Sequence, residues 1–247
     1  MQSHGDMARD PATSAHLNID MHLHTRASFD CMSDPDAVVR TAFQRGMHRV
    51  CITDHDEVDA AFWLRRRYGE RVIPGEEVKT RERVDIIGLY LKELIPGGTP
   101  ARETCERIRE QGGVVYVPHP FAGGKGTGPR VLEEIAELVD AIEGFNARIH
   151  QPHRNRMAVE WAAARGLPTG AGSDAHTLGE VARAYASIPP FDDGAEGLRS
   201  ALRKSTLHGR ASSHVVHLAS TFAKLRKRLP GGAWRPDREA VGLGGSR

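Results

Sequence analysis

Apolar positions in this chain fall in short, β-branched runs that alternate with stretches of helical spacing. Leu17 to Leu23 reads as a strand, and Ser33-Asp34-Pro35 then supplies an N-cap followed by proline at an early helical position. Val38, Val39, Ala42 and Phe43 recur at helical spacing until Gly46 ends the helix. The unit repeats with a strand Arg49 to Thr53, a helix from about Val58 to Tyr68, a strand Arg71 to Pro74 and an apolar run Val84 to Leu91. Thr99-Pro100 opens a helix that Gly112-Gly113 closes. Val114 to Val117, a helix around Arg130 to Leu138, Ala141 to Phe145, a helix around His153 to Arg165 and Leu167 to Ala171 continue the alternation. Such a pattern predicts mostly parallel pairing in an α/β fold.

Side chains of the metal-binding type gather where these strands end. Asp20-Met21-His22-Leu23-His24, Thr53-Asp54-His55-Asp56, Gly75-Glu76-Glu77, His119-Pro120 and Ser173-Asp174-Ala175-His176 each follow an apolar run. With 13 histidines in 247 residues, one His-x-His pair is expected by chance about 0.7 times, so the conjunction carries the inference and the pair does not. In a closed α/β barrel the loops after the strands converge on one face, which makes these sequence-distant groups neighbours. An open doubly wound sheet would usually carry a glycine-rich phosphate turn after its first strand, and none follows Leu23.

The length suits one domain with a sizeable core. A formal net charge of +2 is too balanced to point to nucleic acid, which calls for a clustered basic surface. Cys31, Cys51 and Cys105 are odd in number and lack CxxC spacing, so neither a disulfide framework nor a zinc ribbon is indicated and a reducing cytoplasm is expected. No secretory signal and no run of 18 apolar residues is evident, which predicts a soluble, intracellular chain without a membrane span.

Residues 1–16 are polar and aperiodic and read as a disordered arm. Residues 17–212 form the catalytic domain, and 213–247 a basic tail that is partly helical and then disordered from Pro230. In that tail Lys224, Arg226, Lys227 and Arg228 surround Phe222, Leu225 and Leu229, as in a terminal helix docked on the barrel with its charges solvated, or else a contact for an anionic surface or partner. Ala122 to Gly128 is glycine-rich but lacks P-loop spacing, and reads as a flexible loop suited to closing over a substrate. His48, His153, His208, His214 and His217 match no motif, and Trp63 and Trp161 read as core residues.

Imidazole and carboxylate donors without thiolate suit Zn²⁺, Mn²⁺ or Fe²⁺. Two such ions about 3.5–4 Å apart can share a hydroxide and clamp the oxygens of a phosphoryl group, which makes phosphoester hydrolysis the expected reaction. Asp54 and Asp56 flank His55 and would orient it or relay a proton, Asp56 equally serving as a helix cap. Asp20 reads as a supporting carboxylate, and Arg148 and Arg183 are candidates to neutralise a phosphate.

The ordered set Asp20 to Thr25, Ile52 to Asp56, Pro118-His119-Pro120 and Gly172 to His176 resembles the four motifs of the PHP (polymerase and histidinol phosphatase) family, over roughly residues 17 to 210. Ile73-Pro74-Gly75-Glu76-Glu77 is similar to the family's proline-glycine-x-glutamate turn and singles out Glu77. The resemblance implies a distorted (β/α)7 TIM-like barrel, with the metal site at the C-terminal ends of the strands and two or three divalent ions. His22, His24, Glu77 and Asp174 would surround the first ion, Glu77 would bridge to a second held by His119, and Asp30, His55 and His176 would hold a third. Many relatives carry histidine at the position of Asp30. Glu143, Asn146 and His150 are each open as a further ligand to the second ion. The expected activity is a metal-dependent phosphoesterase acting on a small phosphorylated metabolite, a nucleotide or a short oligonucleotide. The rivals are a non-catalytic metal-binding module and an amidohydrolase-type C–N hydrolase. The short span between Glu77 and His119 leaves no room for the larger lid that oligonucleotide-acting relatives often carry.

Overall fold

The computed structural model describes residues 16–123, 126–212 and 216–227. The elements run β1 Leu17–Leu23, α1 Pro35–Gln44, β2 Arg49–Ile52, α2 Asp59–Tyr68, β3 Val72–Lys79, β4 Asp85–Leu89, α3 Ala101–Glu110 and β5 Val114–Val117. There follow α4 Gly128–Glu134, β6 Ala141–Asn146, α5 Pro152–Ala163, β7 Thr169–Gly172, β8 Ala184–Ile188, α6 Ala195–Leu202, β9 Thr206–Gly209 and α7 Val216–Lys227. The expected arm before His16, Gly124-Lys125 of the glycine-rich loop, and residues 213–215 and 228–247 of the tail lie outside the described residues.

The strands form one sheet in the order β7-β6-β5-β4-β3-β2-β1-β8-β9. Its curl brings the segment after β7 back onto β1, where the Asp174 amide donates to His22 O at 2.8 Å and the His24 amide donates to Ala175 O at 3.1 Å. The barrel is thus nearly closed, but its strand count and directions depart from seven β/α repeats. β1-β2-β3 and β5-β6-β7 are parallel, whereas β4 runs antiparallel to both neighbours, β8 antiparallel to β1 and β9 antiparallel to β8. A tight turn explains β4: the Thr80 amide donates to Val84 O and Arg83 adopts φ 66°, so the chain reverses where a helical crossover would have kept it parallel. The mostly parallel pairing expected from the sequence therefore holds for only half of the ladders.

Alternation along the strands divides the core. Ile19, Met21, Cys51, Ile73, Ile87 and Tyr116 fill the barrel interior. Their neighbours Val50, Ile52 and Val72 pack outward against α1 and α2, and Val115 and Val117 against α3 and α5. Asp34 caps α1 as its position before Pro35 predicts, accepting from the Ala37 amide at 3.2 Å. The amide groups that start α2 are satisfied by Glu57, which accepts from Val58 and Asp59 at 2.9 Å, so Asp56 is not the cap. Among the described residues no helix is long and apolar enough to cross a membrane.

Candidate metal centre

The mouth of the barrel is built by residues that leave the ends of β1, β2, β3, β5 and β7. His22 near the end of β1 and His24 just after it lie two apart, and the ladder with β2 shifts register between Asp20 and Leu23. Glu77 turns into the mouth while its neighbour Glu76 faces the other way, accepting from the Ile95 amide at 2.9 Å, with burial pushing its carboxyl up to about 8. His119 and Asp174 follow β5 and β7 with φ of 28° and 52°, a left-handed backbone that non-glycine residues adopt at a cost. Gly172 has no substitute here, since a Cβ would meet His22 Cβ at 2.3 Å and Glu143 Oε1 at 2.6 Å.

Glu77 is the hub. Its Oε2 stands 3.2 Å from His22 Nε2, 3.3 Å from His24 Nε2 and 3.2 Å from His55 Nδ1, and its Oε1 3.1 Å from His119 Nε2. Asp174 Oδ1 lies 3.4 Å from His24 Nε2 and 3.9 Å from His22 Nε2. The far ring nitrogens are engaged elsewhere. His22 Nδ1 is 3.1 Å from Glu143 Oε1, and His24 Nδ1 is 3.0 Å from Ser28 Oγ, which itself donates to Asp54 at 2.7 Å. With both Nδ1 protons committed outward, two bare Nε2 lone pairs face each other at 3.0 Å among carboxylate oxygens. That arrangement suits a cation, and the six imidazole and carboxylate donors in contact could hold a divalent metal. The buried His119 Nδ1 has no hydrogen-bond partner among the described residues, which agrees with a centre whose bonds are completed by other species.

In the metal-free chain protons take that part. Burial works against a charged His24, yet Asp174 and Glu77 outweigh it and hold the imidazole up at about 9. His22 is likewise raised by Glu77, Asp174 and Glu143 despite burial, and Asp174 is held well below the usual carboxylate range by His22 and its neighbours. Burial dominates at His55, which falls to about 3 and is neutral.

The residues expected from sequence come together with some exceptions. His22, His24, Asp30, His55, Glu77, His119, Asp174 and His176 all converge, and Arg148 joins them, its Nη1 2.6 Å from His176 Nδ1 and its Nε 3.3 Å from Glu180 Oε1. Arg183 does not: its Nε donates to Gly179 O at 3.2 Å on the outside of the loop. Asp54 is buried and filled by four donors, the amides and hydroxyls of Thr25 and Ser28, so it steadies His24 through Ser28 and has no position for proton relay. Asp56 is exposed and accepts from the Lys79 amide at 2.8 Å, pinning β2 to β3. Asp20 accepts from Ser173 and Ala182 and so fixes the turn that presents Asp174.

Of the three open ligand candidates, Glu143 orients His22 and also accepts from the His119 amide at 2.8 Å and Asn146 Nδ2 at 2.9 Å. Asn146 spends its oxygen on the Arg148 amide, and His150 lines an adjoining cleft. Sequence reasoning missed Ser28 and Glu180, although each stands four residues after a converging histidine. The expected docking of a terminal helix on the barrel is met by α7, but its Lys224 and Lys227 point at the mouth where solvated charges were one expectation. Cys31, Cys51 and Cys105 are buried, reduced thiols, pushed up by burial and absent from the donor set.

Two cavities meet at the centre. One of about 270 Å³ is lined by Asp30, His55, Glu77, His119, Asp174 and His176, and the other, of about 400 Å³, shares His119, Arg148 and Asp174 with it and extends to Gln151 and Arg154.

Comparison with known proteins agrees with this geometry. The PHP domain model matches residues 20–92 and the PHP-associated model residues 152–207. An uncharacterized protein of Methanocaldococcus jannaschii is 34% identical over 157 residues, covering 58% of this chain and 90% of that protein. A two-domain protein of Bacteroides vulgatus, described as containing a predicted PHP-like metal-dependent phosphoesterase, superposes with a TM-score of 0.63 at 17% identity, over 84% of this chain and 70% of its own. A lesion-specific endonuclease from Pyrococcus furiosus does so with a TM-score of 0.53 at 14% identity, over 92% and 70%. At these identities the two structures share the fold. The sequence matches at both ends of the barrel, and the donors that this barrel brings to its mouth, make the chain a member of the PHP domain family.

Proposed function

We propose that this chain is a metal-dependent phosphoesterase acting on a small phosphorylated metabolite or a nucleotide. The observation that carries the reading is Glu77, whose two oxygens reach histidines on both sides and so suit a carboxylate bridging two ions. His22, His24, Glu77 and Asp174 would hold one ion, and Glu77 and His119 the other. Zn²⁺, Mn²⁺ or Fe²⁺ fits a set of imidazoles and carboxylates without thiolate. Bound there, such ions would supply Lewis acidity toward phosphoryl oxygens and lower the pKa of a water.

The chain's own groups supply the rest. The Arg148 guanidinium stands 4.0 Å from Asp174 Oδ1, at the boundary of the two cavities, where it would neutralise a phosphoryl group. The adjoining cleft of about 400 Å³ is of the size that takes a small molecule, and Arg154 and Gln151 offer donors to an anionic or polar leaving portion. Glu143, Ser28 and Asp20 hold the donors in orientation, so that little reorganisation accompanies binding. The P. furiosus endonuclease acts on nucleic acid by its name, and a nucleotide or short oligonucleotide end is therefore a substrate worth assaying here.

Mn²⁺-loaded protein should hydrolyse a generic aryl phosphomonoester or the matching diester, and Asp174→Ala should lose roughly a hundredfold or more of that activity. Absence of turnover by the wild-type chain on either ester, with metal confirmed bound, would instead favour a non-catalytic module or hydrolysis of a C–N bond.

A further inference from the structure

We infer that the Lys224 ammonium fills the third cation position of this centre, so that the loaded chain carries two metal ions and one lysine where three ions would otherwise sit. The inference rests on the two-ion reading above and concerns the Asp30, His55 and His176 corner.

Helix α7 lies outside both matched family segments, yet it is fastened over that corner at three points. Lys227 Nζ donates to Arg26 O at 2.5 Å and to Ser28 O, on the loop that carries Asp30. Arg148 Nη2 donates to Ser220 Oγ at 2.9 Å. Between these, Lys224 Nζ comes within 3.6 Å of Asp30 Oδ2 and 5.3 Å of the centre of the Phe29 ring, whose face favours a cation. Asp30 is only 5% exposed, so its charge needs a partner, and the lysine provides one.

The histidine at this corner is held on both sides. Arg148 Nη1 is 2.6 Å from His176 Nδ1, and the same nitrogen is 2.9 Å from Asp174 O. Its Nε2 lies 3.1 Å from Asp30 Oδ1. A divalent ion at Asp30 would have to accept a lysine ammonium as its neighbour, a like-charge penalty that a histidine at position 30 with no lysine nearby would not impose.

The test is metal content by mass spectrometry of the full chain, equilibrated with excess Mn²⁺ and freed of unbound ion, for wild type, Lys224→Met and Lys224→Arg. Two equivalents are expected in wild type and in Lys224→Arg, and a third in Lys224→Met. Three equivalents in wild type, or only two in Lys224→Met, would overturn the inference while leaving the two-ion centre in place. A wild-type chain retaining no metal would overturn both, and Lys224→Arg guards against reading a disturbed helix as a freed site.

Discussion

Glu77→Gln should cost roughly a thousandfold or more in phosphoester hydrolysis and reduce the bound metal below two equivalents, with the fold retained. Among the described residues Glu77 is the one whose side chain contacts His22, His24, His55 and His119 at once, at 3.1 to 3.3 Å. An amide of the same shape keeps the packing of β3 but turns half of the hub from acceptor to donor. It also removes the negative charge that draws two cations to one side chain. Thermal unfolding of the metal-free variant, set beside its metal content and turnover, separates lost chemistry from lost structure. A Gln variant that kept both ions and most of its activity would mean that Glu77 does not bridge.

Metal affinity should rise steeply between about pH 6.5 and 9, by at least about tenfold per unit and on the order of a few hundredfold across that window. In the metal-free chain burial opposes a charged His24, but Asp174 and Glu77 hold its pKa at about 9, above the ordinary value of 6.5. A folded-state pKa raised in this way lends stability that is fully present below pH 6.5 and lost as the pH climbs through 9. The metal-free protein should therefore melt at lower temperature as the pH rises through this range, while an ion, which must displace the same proton, binds more tightly. His55, at about 3 and neutral throughout, has no proton to give up and adds nothing to the slope. Calorimetric titration with Mn²⁺ in buffers of different ionisation enthalpy would count the protons released. A pH-independent affinity would mean that the His22 and His24 lone pairs are not the donors.

Much of the centre was legible in the sequence because its donors sit at strand ends, where short apolar runs give away their positions. The likeness of Ile73-Pro74-Gly75-Glu76-Glu77 to the family's proline-glycine-x-glutamate turn separated Glu77 from Glu76, and the structure turns the two to opposite sides. Sequence position misleads at Asp54. Adjacency in sequence suggested service to His55, but the carboxylate faces Thr25 and Ser28 and steadies His24.

Strand direction was not legible. β4 has the composition of any buried strand, and only the turn at Arg83 reverses it. β8 and β9 went unread because Ala184 and Ala186 carry little hydrophobic signal and because β9 is largely exposed. Nor does a basic helix near the end of a sequence announce which of its lysines is aimed at a buried aspartate 194 positions away, a relation that exists only once the barrel has folded.

The most direct measurement is a titration of the metal-free chain with Mn²⁺ that follows bound ion and aryl phosphoester hydrolysis in the same sample. The account predicts little hydrolysis at one equivalent, a rise as the second ion fills the His119 side of Glu77, and abolition by a chelator. Full activity in the chelator-treated chain, or none in a folded chain carrying both ions, would contradict it.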